Sequence, residues 1–299
     1  MELWIYVVLL AQLIWSVCSL IDKFVIHKGH IKNPLVYIAV NGITQVFIIF
    51  LIPFIKIGLL GFFDFAMALI SSITVMAGIA LYYKAVQYDE ISRINILFQI
   101  IPVFTFILSF LILGEIITGY HFLGFLLLIT GGILVSCRKT KKSFKFSRAF
   151  YYLLPASMLI AISYIAAKHV FNITNFWNGV FWLRLTGLAV LFTLFIPQVK
   201  NDFVHSFKNM NMKIKKLLFF KMVIDFSAFI LSDLAILLGP VTLVSALASS
   251  SAPVLVFILA LFTSLYAPQW VKEDIDKNTI LLKAIAIILV VTGVIFVSS

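Results

Sequence analysis

The sequence predicts an all-α polytopic membrane protein whose ten transmembrane helices form two inverted five-helix repeats, and three observations lead there. Composition is the first. Of 299 residues, 63% are hydrophobic and 12% charged, with a mean hydropathy of +1.12. A soluble domain carries about 25% charged residues. Second, the apolar residues come in runs of about 20, the length that crosses a bilayer. Third, once those runs are taken as spans, the basic residues gather in alternate loops.

The spans fall at 3–21, 35–55, 65–83, 94–113, 122–137, 150–167, 177–196, 217–238, 241–266 and 280–297. The first has no basic lead-in and no small-residue cleavage pattern after it, so it reads as a retained span and not as a signal peptide. The fifth is short. Of the 23 Lys and Arg residues, 20 lie in or beside the loops after the odd-numbered spans. Lys56 and Lys168 fall on the other side, and Arg184 lies inside the seventh span. The positive-inside bias then makes the basic loops cytoplasmic, among them Arg138 to Arg148 and Lys200 to Lys216, and turns both termini outward. A multi-pass protein of a prokaryotic inner or plasma membrane is the expectation.

The formal charge of +11 suits anionic headgroups and insertion energetics. Nucleic acid would call for a basic stripe with interleaved aromatics, which is missing. Cys18 and Cys137 both fall in spans and make neither a disulfide framework nor a zinc site. The five His residues have no metal-ligand spacing, and no phosphate loop, zinc-helix motif or nucleophile turn occurs. No cofactor, metal or catalytic residue is implied.

An internal duplication divides the chain into 1–137, a basic linker 138–149, and 150–299. Lys23, thirty residues before Pro53, matches Lys168, twenty-nine before Pro197. The stretch ILFQIIPVFTFILSFL aligns with ALASSSAPVLVFILAL, placing Pro102 over Pro253, and Gly132 falls over Gly293. Five spans per half is an odd number, so the second copy enters the membrane upside down.

The stretch from ALYYKAVQYDEISRINILFQ through Leu113, Gly114 and Glu115 to the glycine-spaced GFLLLITGGILVS resembles the third-to-fifth-helix signature of EamA-type transporters, in the drug/metabolite transporter superfamily. It is similar in the alanine before a short polar turn, the central Pro102 and the Leu-Gly-Glu step, and LIDKFVIHKGHIKNP looks like an uncharacterised prokaryotic branch. Two departures stand out: Tyr266 takes the place of Glu115 in the second half, and the loop from Ala267 to Asn278 is long and charged. EamA-type members usually keep both termini in the cytoplasm, opposite to the charge distribution here, and the charge distribution is followed.

An ionisable side chain at mid-span costs about 2.5 to 3.5 kcal/mol on insertion scales, so it should face a cavity or a partner. Arg184 is the clearest case: either it binds an anionic group of a solute or it pairs with an acid on the eighth span. Asp225 and Asp233, eight residues apart and about 80° around one helix, could border one cavity, as coupling acids or as ion-pair partners. Lys221 stands one turn from Asp225. Asn95 and Gln99, one turn apart before Pro102, and Asn41 followed by Gln45 place amides on single faces. Ala246, Ser249 and Ser250 form the matching small face, for which close helix packing is the plainer reading. Trp15, Cys18 and Asp22 share a face of the first span; Asp22 and Lys23 read as a solvated pair at its end, and Glu115 as an anchor for a helix end.

The resemblance implies a secondary transporter of a small organic metabolite, an amino acid or related polar solute, with export as one direction. Arg184, Asn95, Gln99, Asn41 and Trp15 would bind substrate, and Asp225 and Asp233 would couple protons or counter-solute, or form ion pairs. A flippase for a lipid-linked carrier is the alternative. The small-molecule substrate and the bilayer are the expected partners, and oligomeric state is not legible.

Overall fold

The computed structural model describes residues 2–27, 31, 33–86, 88, 98–117, 119–136, 148–266 and 277–298. All regular structure among these residues is helical, with no strand. In chain order the elements are α1 (Leu3–His27), α2 (Pro34–Thr44, wound on as a 3-10 stretch Gln45–Phe54), α3 (Phe62–Val86), α4 (Ile101–Leu108, closing in a π turn Ser109–Leu113) and α5 (Tyr120–Ser136). There follow α6 (Arg148–Ile173), α7 (Phe176–Gly187, with a 3-10 stretch Leu188–Phe195), α8 (Pro197–Asn209), α9 (Met212–Leu238), α10 (Val241–Tyr266) and α11 (Lys277–Ser298).

Local chemistry sets several helix starts. Asn33, Asn175 and Asn211 cap α2, α7 and α9, each accepting a backbone N–H of the first turn. Pro34 and Pro197 sit at first-turn positions, where a missing N–H costs nothing. The α4 end turns on Gly114, whose φ of +67° lies in the left-handed region that glycine adopts without penalty.

Among the described residues, six helical segments are long and apolar enough to cross a membrane: Leu3–Asp22, Pro34–Phe54, Phe62–Ala85, Arg148–Ile173, Phe176–Phe195 and Val241–Leu259. Ile101–Leu113, Tyr120–Leu134 and Lys283–Ser298 are apolar but shorter. Large apolar side chains cover the outside, Phe54, Leu59, Phe62 and Phe195 among them, as a lipid-facing surface requires. The chain is an integral, multi-pass membrane protein.

Packing pairs helices from the two halves of the chain. α3 lies along α6, α1 along α9 and α10, α5 along α11 and α10, and α4 against α6 and α10. α2 crosses α7 at its 3-10 stretch. The α5–α11 crossing depends on glycine: a Cβ at Gly124 would stand 2.9 Å from the Gly293 carbonyl oxygen, and one at Gly293 would stand 3.1 Å from that of Gly124. Contacts also define two ends. Trp4 at the start of α1 packs on Gly239, and Gly58 bonds Asn178, both at one end. At the other, Asn33 Nδ2 donates to Asp202 Oδ2 at 2.7 Å, and α8 tucks Val199, Phe203 and Phe207 under α2. Lys200, Lys208, Lys213 and Lys216 stand exposed at this second, basic end.

Candidate functional site: two buried charge centres

Two cations organise the polar interior. α7 carries Arg184 into the bundle, where it is buried. Its Nη2 donates to Asp233 Oδ2 at 2.8 Å and its Nη1 to Gln45 Oε1 at 3.1 Å. The Phe229 ring stacks against the guanidinium with its centroid 4.8 Å from Cζ, a cation–π contact. Among the described residues, Nε has no hydrogen-bond partner. Gln45 is itself held: its Nε2 donates to the Asn41 carbonyl at 3.2 Å, and its stem lies over Gly187, where a Cβ would meet Cγ at 3.2 Å. Glycine at 187 therefore makes room for the amide that reaches Arg184.

Toward the basic end, α9 supplies Lys221, also buried. Nζ donates to Asn41 Oδ1 at 3.0 Å and to Asp225 Oδ2 at 3.2 Å, and stands 3.7 Å from Asp22 Oδ1. Asp225 also accepts the Trp15 indole N–H at 3.1 Å, and Asp22 accepts the Tyr83 hydroxyl at 3.5 Å. Trp15, Cys18 and Asp22 do occupy one face of α1, and all three meet α9, with the Cys18 thiol 4.0 Å from the Lys221 carbonyl. The Tyr37 ring lies 5.4 Å from Lys221 Nζ.

The two centres share walls. Asn41 takes Lys221 with its side chain and Gln45 with its backbone, and the Trp15 ring meets Phe229 edge-on at 5.5 Å. A charge removed from water is stable only when paired and hydrogen-bonded, which accounts for the density of polar contacts here.

Of the sequence-predicted residues, Arg184, Asn41, Trp15, Asp225 and Asp233 come together. Gln99 stands apart: its Nε2 donates to the Ser249 carbonyl at 2.7 Å, and its side chain fills the space over Gly132. Asn95 lies outside the described residues. Asp225 and Asp233, weighed as coupling acids or ion-pair partners, each face a cation of their own, Lys221 and Arg184. Asp22 is corrected. It turns inward to Lys221 instead of standing in solvent at a span end. Ser250 and Ser251 bond carbonyls of their own helix, in keeping with the packing reading of that small face. Sequence reasoning missed Gln45 as the Arg184 partner, although its place one turn after Asn41 was the available signal.

A third polar feature lies at the opposite end, around the turn between α9 and α10. Lys168 Nζ donates to the carbonyls of Ile236, Leu237 and Gly239 at 2.8, 3.1 and 2.9 Å. Glu115 accepts the N–H of Val241 at 3.0 Å and of Thr242 at 3.4 Å. A cation on the carbonyl end of α9 and an anion on the amide end of α10 both match the helix dipoles. Glu115 thus anchors a helix end, and a cavity of about 350 Å³ opens beside it, lined by His121, Lys168 and Leu243 among others.

Comparison with known proteins gives this geometry a family. Residues 2–137 match the EamA-like transporter family. Residues 2–137 thus form an EamA-type unit, of the drug/metabolite transporter superfamily. Members of the EamA family are membrane transporters and not enzymes. A search of curated proteins gives no significant match. Among solved structures, one crystal structure aligns over 99% of this chain and 98% of its own length, with a TM-score of 0.71 and 16% identity. At that identity the likeness speaks for the fold alone.

Proposed function

We propose that this EamA-type protein is a secondary transporter that moves a small organic solute by alternating access, two inverted five-helix repeats rocking about the Arg184 and Lys221 centres. The observation that carries the reading is the buried Arg184–Asp233 pair at 2.8 Å, placed where α2 of the first half meets α7 and α9 of the second. The repeat units are 1–137 and 150–299, joined by 138–149. Their inverted relation is supported by reciprocal packing: α3 on α6 mirrors α1 on α9, while α4 meets α10 and α5 meets α11. The change to 3-10 winding halfway along both α2 and α7 supports it too. The basic end is cytoplasmic, both termini are outward, and the membrane is the prokaryotic inner or plasma membrane.

In this mechanism the ion pair holds the place of the solute. An anionic group on the solute takes the Asp233 position on Arg184, using the unpartnered Nε for a two-point contact, so the cation is never left bare. Trp15, Asn41 and Gln45 shape the wall, and Asp225 and Asp233 accept a proton or counter-solute as the pairs open. Gln99, which reaches a carbonyl of α10, and Asn95 are the further candidates for contact with the solute. The test is thermal stabilisation in detergent across a panel of organic acids, amino acids and amines. A carboxylate-bearing solute should raise the melting temperature of the parent protein, and Arg184→Ala should lose that shift. A shift that survives in a folded Arg184→Ala variant removes Arg184 from the site.

A further inference from the structure

Among the described side chains, the two centres carry one carboxylate more than they carry cations. Among the described residues there, Arg184 and Lys221 face Asp22, Asp225 and Asp233. Arg184 and Asp233 pair one to one, while Lys221 is shared. Asp225 holds Lys221 at 3.2 Å and is itself fixed by the Trp15 N–H. Asp22 is held more weakly, 3.7 Å from the ammonium and 3.5 Å from the Tyr83 hydroxyl, and its Oδ1 has no hydrogen bond from any described residue. Beside it lies Tyr37, 2% exposed, its hydroxyl without a partner among the described residues and its ring 4.8 Å from that of Tyr83. The remaining neighbours are Asn41 on α2, Tyr82 next to Tyr83 on α3, and Cys18 one turn back on α1. An excess carboxylate among such groups is costly, and a proton removes the cost.

We infer that Asp22 is a proton-binding residue, whose ionised form ties α1 to α9 through Lys221 and whose protonated form releases that tie at the basic end. The proton passes from water at that end, where the Asp22 side chain keeps 16% exposure, to a carboxylate oxygen. Lys221 then rests on Asp225 and Asn41 alone, and the proton returns to the same water when the tie re-forms. What the opening serves rests on the transporter reading, but the tie itself is testable without any solute.

Cys18 is the native reporter, 3% exposed and covered by this contact. In a Cys137→Ser background in proteoliposomes, N-ethylmaleimide labelling of Cys18 is compared at equal pH between the parent and Asp22→Asn. Labelling of Asp22→Asn should be about fivefold faster or more at about pH 8, within the usual range of coupling between two states. The two rates should converge toward about pH 5, the lower edge of the physiological range. Asp22→Glu should follow the parent at every pH. Lys221→Gln breaks the same tie with the opposite change in local charge, so it too should label faster at about pH 8; slower labelling overturns the inference. A ratio that stays constant with pH, high or near one, overturns it equally. Failure of the transporter reading would appear as absent solute exchange and would leave this labelling pattern in place.

Discussion

Removing the Arg184 guanidinium would leave the Asp233 carboxylate, 4% exposed, without its cation. Breaking a buried pair from one side costs about 3–5 kcal/mol, whereas replacing both partners with apolar groups is often near neutral. Arg184→Ala should therefore lower the unfolding midpoint in detergent substantially, and the double variant Arg184→Met with Asp233→Leu should regain most of the loss while staying inactive. A double variant no more stable than the single one would mean that the pair does not account for the loss. Much of this site was legible in the sequence. An arginine inside an apolar run demands a partner, Asp233 was a candidate, and Lys221 stands one turn from Asp225. What local spacing could not tell was how each helix is rotated against its neighbours. That rotation turns Asp22 toward Lys221 and selects Gln45 for Arg184.

Among the elements, the α5–α11 crossing is the sharpest example of sequence fixing structure. Gly124 and Gly293 let two backbones meet, so Gly124→Leu must push Val297 and the Gly293 carbonyl away. Overpacking of this kind costs about 1–3 kcal/mol. The expected result is a lower melting temperature and folded yield than for Leu123→Ala, whose side chain is 44% exposed next door. Equal effects would show that the crossing is not tight. Six of the apolar runs return among the described residues as helices long enough to cross a membrane, but their winding was not readable. The continuous helix expected over 35–55 tightens to 3-10 from Gln45 onward, a change that Pro53 favours by withholding an amide and that hydropathy does not register. α8 was also missed. Its sequence reads as a polar loop, yet Val199, Phe203 and Phe207 recur every four residues and pack beneath α2.

On the scale of the whole molecule, the charge centres lie between halves that pack on one another reciprocally, and the exposed lysines gather at one end. A pair of ions buried between two bodies is costly to hold and costly to break, so a solute able to substitute for one partner lets the bodies change places without leaving a bare charge. The EamA match over residues 2–137 points to a membrane transporter; the alternating-access mechanism is the claim that needs a direct trial. Counterflow in proteoliposomes supplies it, with vesicles preloaded with unlabelled organic acids, amino acids or amines and then given the labelled counterpart outside. The account predicts transient accumulation of at least one carboxylate-bearing solute above equilibrium, and none with Arg184→Ala. No accumulation across the panel, from protein shown to be inserted and folded, would contradict it and turn attention to long-chain, lipid-linked carriers.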